Sequence, residues 1–202
     1  LKLLYRNKMI KENVNDFLDK IETEDVLKDS LSVDELTILA ETPCDIPILK
    51  TASLFSCLTG LRRSDILALR WEHIVDFSAG GKCVHIITQK TKTEDIIPIG
   101  PEALELIGYE PNKRGPVFAG LKVSWTQFPM KKWIQSAGIT KNITFHSYRR
   151  TFATLQAAAG TDPNTIRSMM AHRSLTTTQR YVHTVDANKF IASRKISLKR
   201  AE

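Results

Sequence analysis

Three cysteines in 202 residues, Cys44, Cys57 and Cys83, are too few and too widely spaced for a disulfide framework, and none sits in a paired Cys-x-x-Cys motif. Set in apolar surroundings, they read as reduced thiols in a core, which points to a cytosolic setting. Long hydrophobic runs are missing too: Ile46 to Leu49 and Ala52 to Leu58 fall far short of membrane-spanning length, and no signal peptide opens the chain. A soluble protein away from membranes is expected. Clustered carboxylates and a glycine-rich phosphate loop are absent, which removes the usual sequence signs of a metal centre or nucleotide cradle. There is no internal repeat and no low-complexity segment. Negative charge is also short, with 22 Asp and Glu against 29 Lys and Arg, a formal charge of +7 and a sequence pI near 9.4. That balance favours a polyanionic partner without naming one.

What is present is enough apolar content, 42%, to bury one core with tails. Residues 1–30 are charge-rich with scattered apolar positions and read as a linker or lead-in; a first residue of Leu1 rather than Met leads us to expect a piece of a longer parent. Residues 31–184 carry the periodic segments, and residues 185–202 form a basic tail in which Phe190, Ile191 and Ile196 are apolar, expected to dock on a neighbouring protomer. The box Ser32-Val33-Asp34-Glu35 predicts a helix to about Glu41, and Pro47 to Gly60 bounds a second with Ile48, Ala52, Phe55 and Leu58 on one face. A third spans about 64 to 71. Between His73 and Ile99 the period becomes alternating, with turns at Gly80-Gly81 and at Lys90 to Glu94, so three short antiparallel strands are expected. Helices return at about 101–109, 124–137 (Ser124 boxed by Gln127), 146–159, from Asp162-Pro163, and at 175–183. The predicted fold class is mixed, mainly α with a small three-stranded antiparallel sheet.

Five islands carry chemistry. Thr59-Gly60-Leu61-Arg62-Arg63-Ser64-Asp65 offers Arg62, a planar fork able to hold two phosphate oxygens, with Asp65 one turn on to orient it. The run Ile86 to Thr93, returning at Ile96-Ile97-Pro98-Ile99, places Lys90 and Lys92 at a hairpin. His146-Ser147-Tyr148-Arg149-Arg150 puts His146 and Arg149 on one helical face. Met170-Ala171-His172-Arg173-Ser174 supplies His172. Thr176 to His183 carries Tyr181, nine residues further on. Taken singly each island is ordinary: a helix start, a hairpin tip with solvated lysines, a capping histidine, a packed tyrosine.

In order and spacing, the five together resemble the tyrosine recombinase family, over residues 59 to 181. Ala171 departs from the glycine usual before the histidine, which predicts a slightly altered turn. The resemblance implies the tyrosine recombinase catalytic-domain fold, with a DNA-binding domain ahead of residues 1–30. It also implies an integrase-type enzyme that cuts and rejoins DNA through a 3′-phosphotyrosine link. Tyr181 is then the nucleophile, Lys90 (with Lys92 as its rival) the general acid toward the leaving 5′ oxygen, Arg62 and Arg149 the phosphate clamps. His146 becomes a proton acceptor or hydrogen-bond donor near the nucleophile, and His172 a hydrogen-bond partner of the phosphate. Neither metal, ATP nor any other cofactor is expected, since cationic side chains supply the charge. Expected partners are double-stranded recombination sites, three further protomers in a homotetramer on DNA, and DNA-bending accessory proteins, in the bacterial cytoplasm and nucleoid. Arg150, Arg173 and Lys92 are expected DNA contacts; Lys50, Lys82, Lys131, Lys132 and Arg167 are further basic candidates. Two alternatives stay open: type IB topoisomerase-like relaxation, and a non-enzymatic helix-turn-helix binder built on Asp162 to Tyr181.

Overall fold

The computed structural model describes residues 5–9, 29–87 and 94–171. Helix α1 (Val33–Glu41) begins at a closed capping box: Ser32 Oγ accepts from the Glu35 amide at 3.1 Å, and Glu35 Oε2 accepts from the Ser32 amide at 2.7 Å. Helix α2 (Pro47–Thr59) starts on a proline whose missing N–H costs nothing in a first turn, and stops at Gly60 with φ +69°. A Cβ at Gly60 would fall 2.6 Å from the Phe152 ring, so glycine is needed there both for its backbone and for its lack of side chain.

Short helix α3 (Arg63–Ala68) follows after three residues, and a 3₁₀ turn (Trp71–His73) leads into the sheet. The expected single helix to residue 71 is broken because the chain at Arg70 turns extended to bridge Pro116, with the Trp71 amide donating to Gly115 O at 3.0 Å. Strands β1 (Ile74–Asp76), β2 (Lys82–Ile87) and β3 (Glu94–Ile99) form an antiparallel sheet in the order β1-β2-β3. Ile74 pairs with Val84 and Val84 with Ile97, all three buried, while Val75 and Ile96 one step along are exposed. This is the alternation of a sheet with one face on a core.

Helix α4 (Pro101–Leu106) ends short of the expected residue 109, in a turn at Gly108. The helix expected from Ser124 is instead a 3₁₀ turn (Val123–Thr126) followed by α5 (Phe128–Ser136). Pro129 explains the break: without an N–H, and with a ring that clashes one turn back, it can open a helix but not continue one. Helix α6 (Phe145–Ala158) and helix α7 (Pro163–Met169, capped by Asp162 accepting from the Thr165 amide at 2.9 Å) complete the described elements. The 175–183 helix and the 185–202 tail lie outside the described residues.

Helix α2 is the axis of the core, burying Leu49, Ala52, Leu54 and Phe55 against α6, α4 and β3. The Phe55 and Phe118 rings lie 5.4 Å apart and those of Phe145 and Tyr148 5.5 Å apart, edge to face. A smaller cluster of Phe152, Ala153, Ala157, Ile166 and Met170 pins α7 to α6. Two packings therefore fix what lies at the junction of α2, α6 and α7: the ends of these helices cannot move apart without opening a core. The cysteines are unpaired; Cys57 and Cys83 are buried and Cys44 half-buried. No described helix is long and apolar enough to cross a membrane.

Candidate active site

Arg62 precedes α3 in an extended conformation, at the end of a turn fastened from behind. Ser56 Oγ donates to Leu61 O at 3.1 Å, Thr59 Oγ1 donates to Phe55 O at 2.7 Å, and Leu61 is fully buried. The Arg62 side chain leaves this turn 23% exposed and donates from Nη2 to the main-chain oxygen of Ala171 at 3.0 Å, across 109 residues. Asp65 is buried beneath it, with Oδ2 3.8 Å from Arg62 Nη1 and Oδ1 accepting from Ser64 Oγ at 3.2 Å. At that separation the carboxylate and guanidinium interact as charges rather than through a hydrogen bond.

Arg149 reaches the same place from α6. Its Nη1 donates to Gly60 O at 2.5 Å and its Nη2 to Met170 O, so one buried guanidinium joins the turn before Arg62 to the residue before Ala171. The two arginines thus meet on adjacent carbonyls, those of Met170 and Ala171, at the C-terminal end of α7. A helix C-terminus leaves carbonyls without intrahelical partners and carries partial negative charge, which guanidinium groups satisfy in both respects. His146 lies one turn before Arg149 on α6 and is exposed. Lys90, Lys92, His172, Arg173 and Tyr181 lie outside the described residues; His172 follows Ala171 directly in the chain, and residues 88–93 join the paired ends Ile87 and Glu94.

Several expected DNA contacts are engaged elsewhere. Arg150 Nη1 donates to Asp29 O at 3.1 Å. Lys50 Nζ donates to Thr42 O at 2.9 Å. Lys82 pairs with Asp76 at 2.7 Å and Lys132 with Asp45 at 2.9 Å, while Arg167 buries its Nε without a hydrogen-bond partner. Lys131 is exposed. The bonds of Arg150 belong to a strap that the sequence did not disclose: Asp29 Oδ2 accepts from the Asn142 amide at 2.8 Å, Lys141 Nζ donates to Ser30 O at 3.0 Å, and the Leu31 amide donates to Thr151 Oγ1 at 2.9 Å. Residues 29 and 30, read as lead-in, are thereby fastened to α6 and the loop before it.

Tyr148, inside the third island, is fully buried, and burial pushes its phenol far above the usual range. It is a core residue. A groove of about 540 Å³ between the α1–α2 connection and α5, with Cys44, Phe128 and Trp133 in its lining, contains none of the candidate catalytic residues; of the basic candidates it holds Lys132. Among the described residues no three His, Cys, Asp or Glu side chains are grouped to hold a metal ion.

The sequence model of the phage integrase family matches residues 29–188, most of the chain. The chain belongs to the phage integrase family. Among its relatives, a protein of Syntrophus aciditrophicus (strain SB) named tyrosine recombinase XerC is 29% identical over 214 residues, covering 95% of this chain and 67% of that one. Another of that name, from Xylella fastidiosa (strain M23), is 27% identical over 166 residues, and the chain spans only 55% of its length. Among solved structures, the XerA recombinase aligns with a TM-score of 0.67 at 22% identity, over 97% of this chain and 73% of that one. The catalytic domain of bacteriophage HP1 integrase aligns with a TM-score of 0.64 at 20% identity, over 85% of this chain and 96% of that one. At these identities the structures speak for the fold, that of a tyrosine recombinase catalytic domain.

Proposed function

We propose that this member of the phage integrase family is the catalytic part of a site-specific DNA recombinase, acting in integration or excision of a mobile element. The observation that carries the reading is the meeting of Arg62 and Arg149, 87 positions apart in sequence, on the two carbonyls that immediately precede His172. Planar cationic forks held side by side suit one phosphate, whose growing negative charge in a pentacoordinate transition state they would stabilise.

In the proposed step the Tyr181 oxygen attacks the phosphorus, a phosphorus–phenol bond forms, and the bond to the 5′ oxygen breaks. That oxygen takes a proton from Lys90, and the phenol proton passes toward His146 or to solvent. Attack by a partner strand's 5′ hydroxyl reverses the sequence, so the energy of the broken bond is retained and no ATP is consumed. Tyr148 is excluded as nucleophile by its burial, and Tyr109 packs 6.5 Å from the Trp71 ring beside the sheet, away from the arginines. Of the remaining tyrosines, Tyr5 and Tyr181, only Tyr181 follows the α7 turn that the arginines grip. One nucleophile per chain means four protomers for two duplexes, with DNA-bending accessory proteins as further partners.

The test is incubation with a nicked suicide substrate followed by denaturing electrophoresis and mapping of the adduct. The wild-type chain is expected to form a covalent DNA adduct at Tyr181, and Tyr181→Phe to bind the same DNA without one. An adduct that persists in Tyr181→Phe, or none in the wild type on any substrate, overturns the proposal. Exchange between two sites, measured against relaxation of a supercoiled plasmid, separates recombinase from topoisomerase.

A further inference from the structure

Ala171 holds φ +48°, a left-handed backbone that alanine rarely adopts, because its Cβ crowds the following carbonyl and it has no polar side chain to bond locally in compensation. The amides around it are satisfied within α7: Met170 N donates to Ile166 O at 3.0 Å and Ala171 N to Ser168 O at 2.9 Å. It is the carbonyls that leave the helix, and both are taken by the arginines. Met170 itself is fully buried in the cluster between α6 and α7, so the turn is anchored on its core side. The left-handed backbone at 171 therefore sets two adjacent oxygens at an angle that serves two guanidinium groups.

We propose that residue 171 is a positioning residue for the phosphate clamp: its left-handed backbone sets the angle between the Met170 and Ala171 carbonyls, and so where Arg62 points relative to Arg149. This rests on the strand-cleavage reading for its consequence in catalysis, and on geometry alone for the hold on the arginines. Arg62 spends one of its five donors on the bond to Ala171 and keeps an exposed edge, so the same bond that orients it leaves room for a phosphate. The side chain at 171 has no chemistry to contribute; only its backbone preference matters.

Three substitutions separate backbone preference from volume. Glycine adopts the left-handed region freely, asparagine tolerates it, and valine is excluded from it by its β-branch. With DNA held saturating, Ala171→Gly is expected to form the covalent adduct at least as fast as wild type, Ala171→Asn within about threefold, and Ala171→Val at least about tenfold more slowly, the scale of a misaimed charge-stabilising donor. DNA affinity should change by no more than about twofold in all three, placing the effect on the bond-breaking step and not on binding. If 171 merely filled space, the larger asparagine and valine would suffer alike; equal losses in those two, or a wild-type rate in Ala171→Val, overturn the proposal.

A second measurement does not depend on activity or on the folding of the valine variant. In DNA-free wild type, the guanidinium protons of Arg62 and Arg149 should give resolved, slowly exchanging NMR signals, assigned by Arg62→Lys and Arg149→Lys, and Ala171→Gly should retain them. Fast-exchanging, averaged signals from a folded wild type sink the positioning role. Absence of any wild-type adduct alongside slow guanidinium exchange sinks the recombinase reading and leaves the hold on the arginines standing.

Discussion

The chain contains two arginine doublets, Arg62-Arg63 and Arg149-Arg150, and in each the two members part company. The first of each pair goes to the α7 carbonyls. The second goes to a scaffold partner: Arg63 Nη1 donates to Thr126 Oγ1 at 3.3 Å, and Arg150 Nη1 to Asp29 O at 3.1 Å. Successive side chains on a helix point about 100° apart, which parts Arg149 from Arg150 on α6, whereas Arg62 is the extended residue before α3 and Arg63 the first residue of that helix. The second arginine of each doublet pulls a peripheral segment onto the domain, the 3₁₀ turn before α5 in one case and the strap at residues 29–31 in the other. Backbone position therefore decides the role, and a basic doublet in sequence is not evidence for two DNA contacts.

The largest expected effect tests that division directly. Arg149→Lys should lower adduct formation on a suicide substrate by at least about a hundredfold, because an ammonium cannot span Gly60 O and Met170 O and still present a fork to phosphate. Arg150→Lys should stay within about threefold, its task being a single main-chain contact at a half-buried site. Comparable losses in the two single-turnover rates would erase the distinction between the members of the doublet.

Next comes the glycine that lets Arg149 reach the first doublet. Gly60→Ala must adopt φ +69° and place a methyl 2.6 Å from the Phe152 ring. Left-handed strain and overpacking together should destabilise the fold by about 2–4 kcal/mol. Urea denaturation reads this as a lower midpoint at unchanged slope; an unchanged midpoint would mean the α2–α3 turn yields freely, and the brace on Gly60 O would lose its rigid base.

How far these features were legible varies with their origin. Ser32 and Glu35, Pro47 and Gly60, and the alternation around Val84 and Ile97 announced helices α1 and α2 and the sheet, because each depends on near neighbours in sequence. Local cues failed where a distant segment or a proline inside the periodic run intervened: Pro129 moved the start of α5, and the Gly115–Pro116 segment ended the helix before Trp71. Arg62 and Arg149 were readable as a pair through spacing and resemblance, and Asp65 through its one-turn offset. The partners they hold were not, since a main-chain carbonyl has no letter in the sequence. The one trace was Ala171, a departure from glycine at a position that turns out left-handed. The strap at Asp29 left no trace either, because its bonds run to residues 113 and 121 positions away.

The strap of the second doublet carries the next effect, which depends on pH. Burial alone would raise the Glu35 carboxyl, but the hydrogen bond from Lys141, those from Ser32 and the Lys141 charge outweigh it and hold it below its ordinary value of 4.5. A depressed carboxyl contributes stability that is fully present above pH 4.5 and is lost as pH falls through the lower folded-state value. Lys141 also donates to Ser30 O, so protonation of Glu35 should loosen the strap before it disturbs the arginine brace. Hydrogen exchange at the Leu31 amide should accelerate below pH 4.5 relative to intrinsic rates, and Glu35→Gln should flatten that dependence. Simultaneous loosening at the Leu31 amide and at the Arg62 and Arg149 guanidinium groups would show that strap and brace open as one unit.

The smallest effect belongs to a basic residue tied to neither doublet. Lys132 pairs with Asp45 at 2.9 Å, yet their side chains are 67% and 82% exposed. Solvent screens such a pair, and ordering two mobile side chains offsets what attraction remains. The hydrogen bond and charge of Asp45 raise the lysine and those of Lys132 lower the carboxyl, but shifts on exposed groups translate into little stability. Lys132→Met should leave the melting temperature unchanged within error at both low and high salt, whereas Arg63→Met, which severs the half-buried contact to Thr126, should lower it measurably. A salt-dependent drop in Lys132→Met that matches the loss in Arg63→Met would mean that burial is not what separates a structural cation from a solvated one here, and the division drawn between the arginines would need another cause.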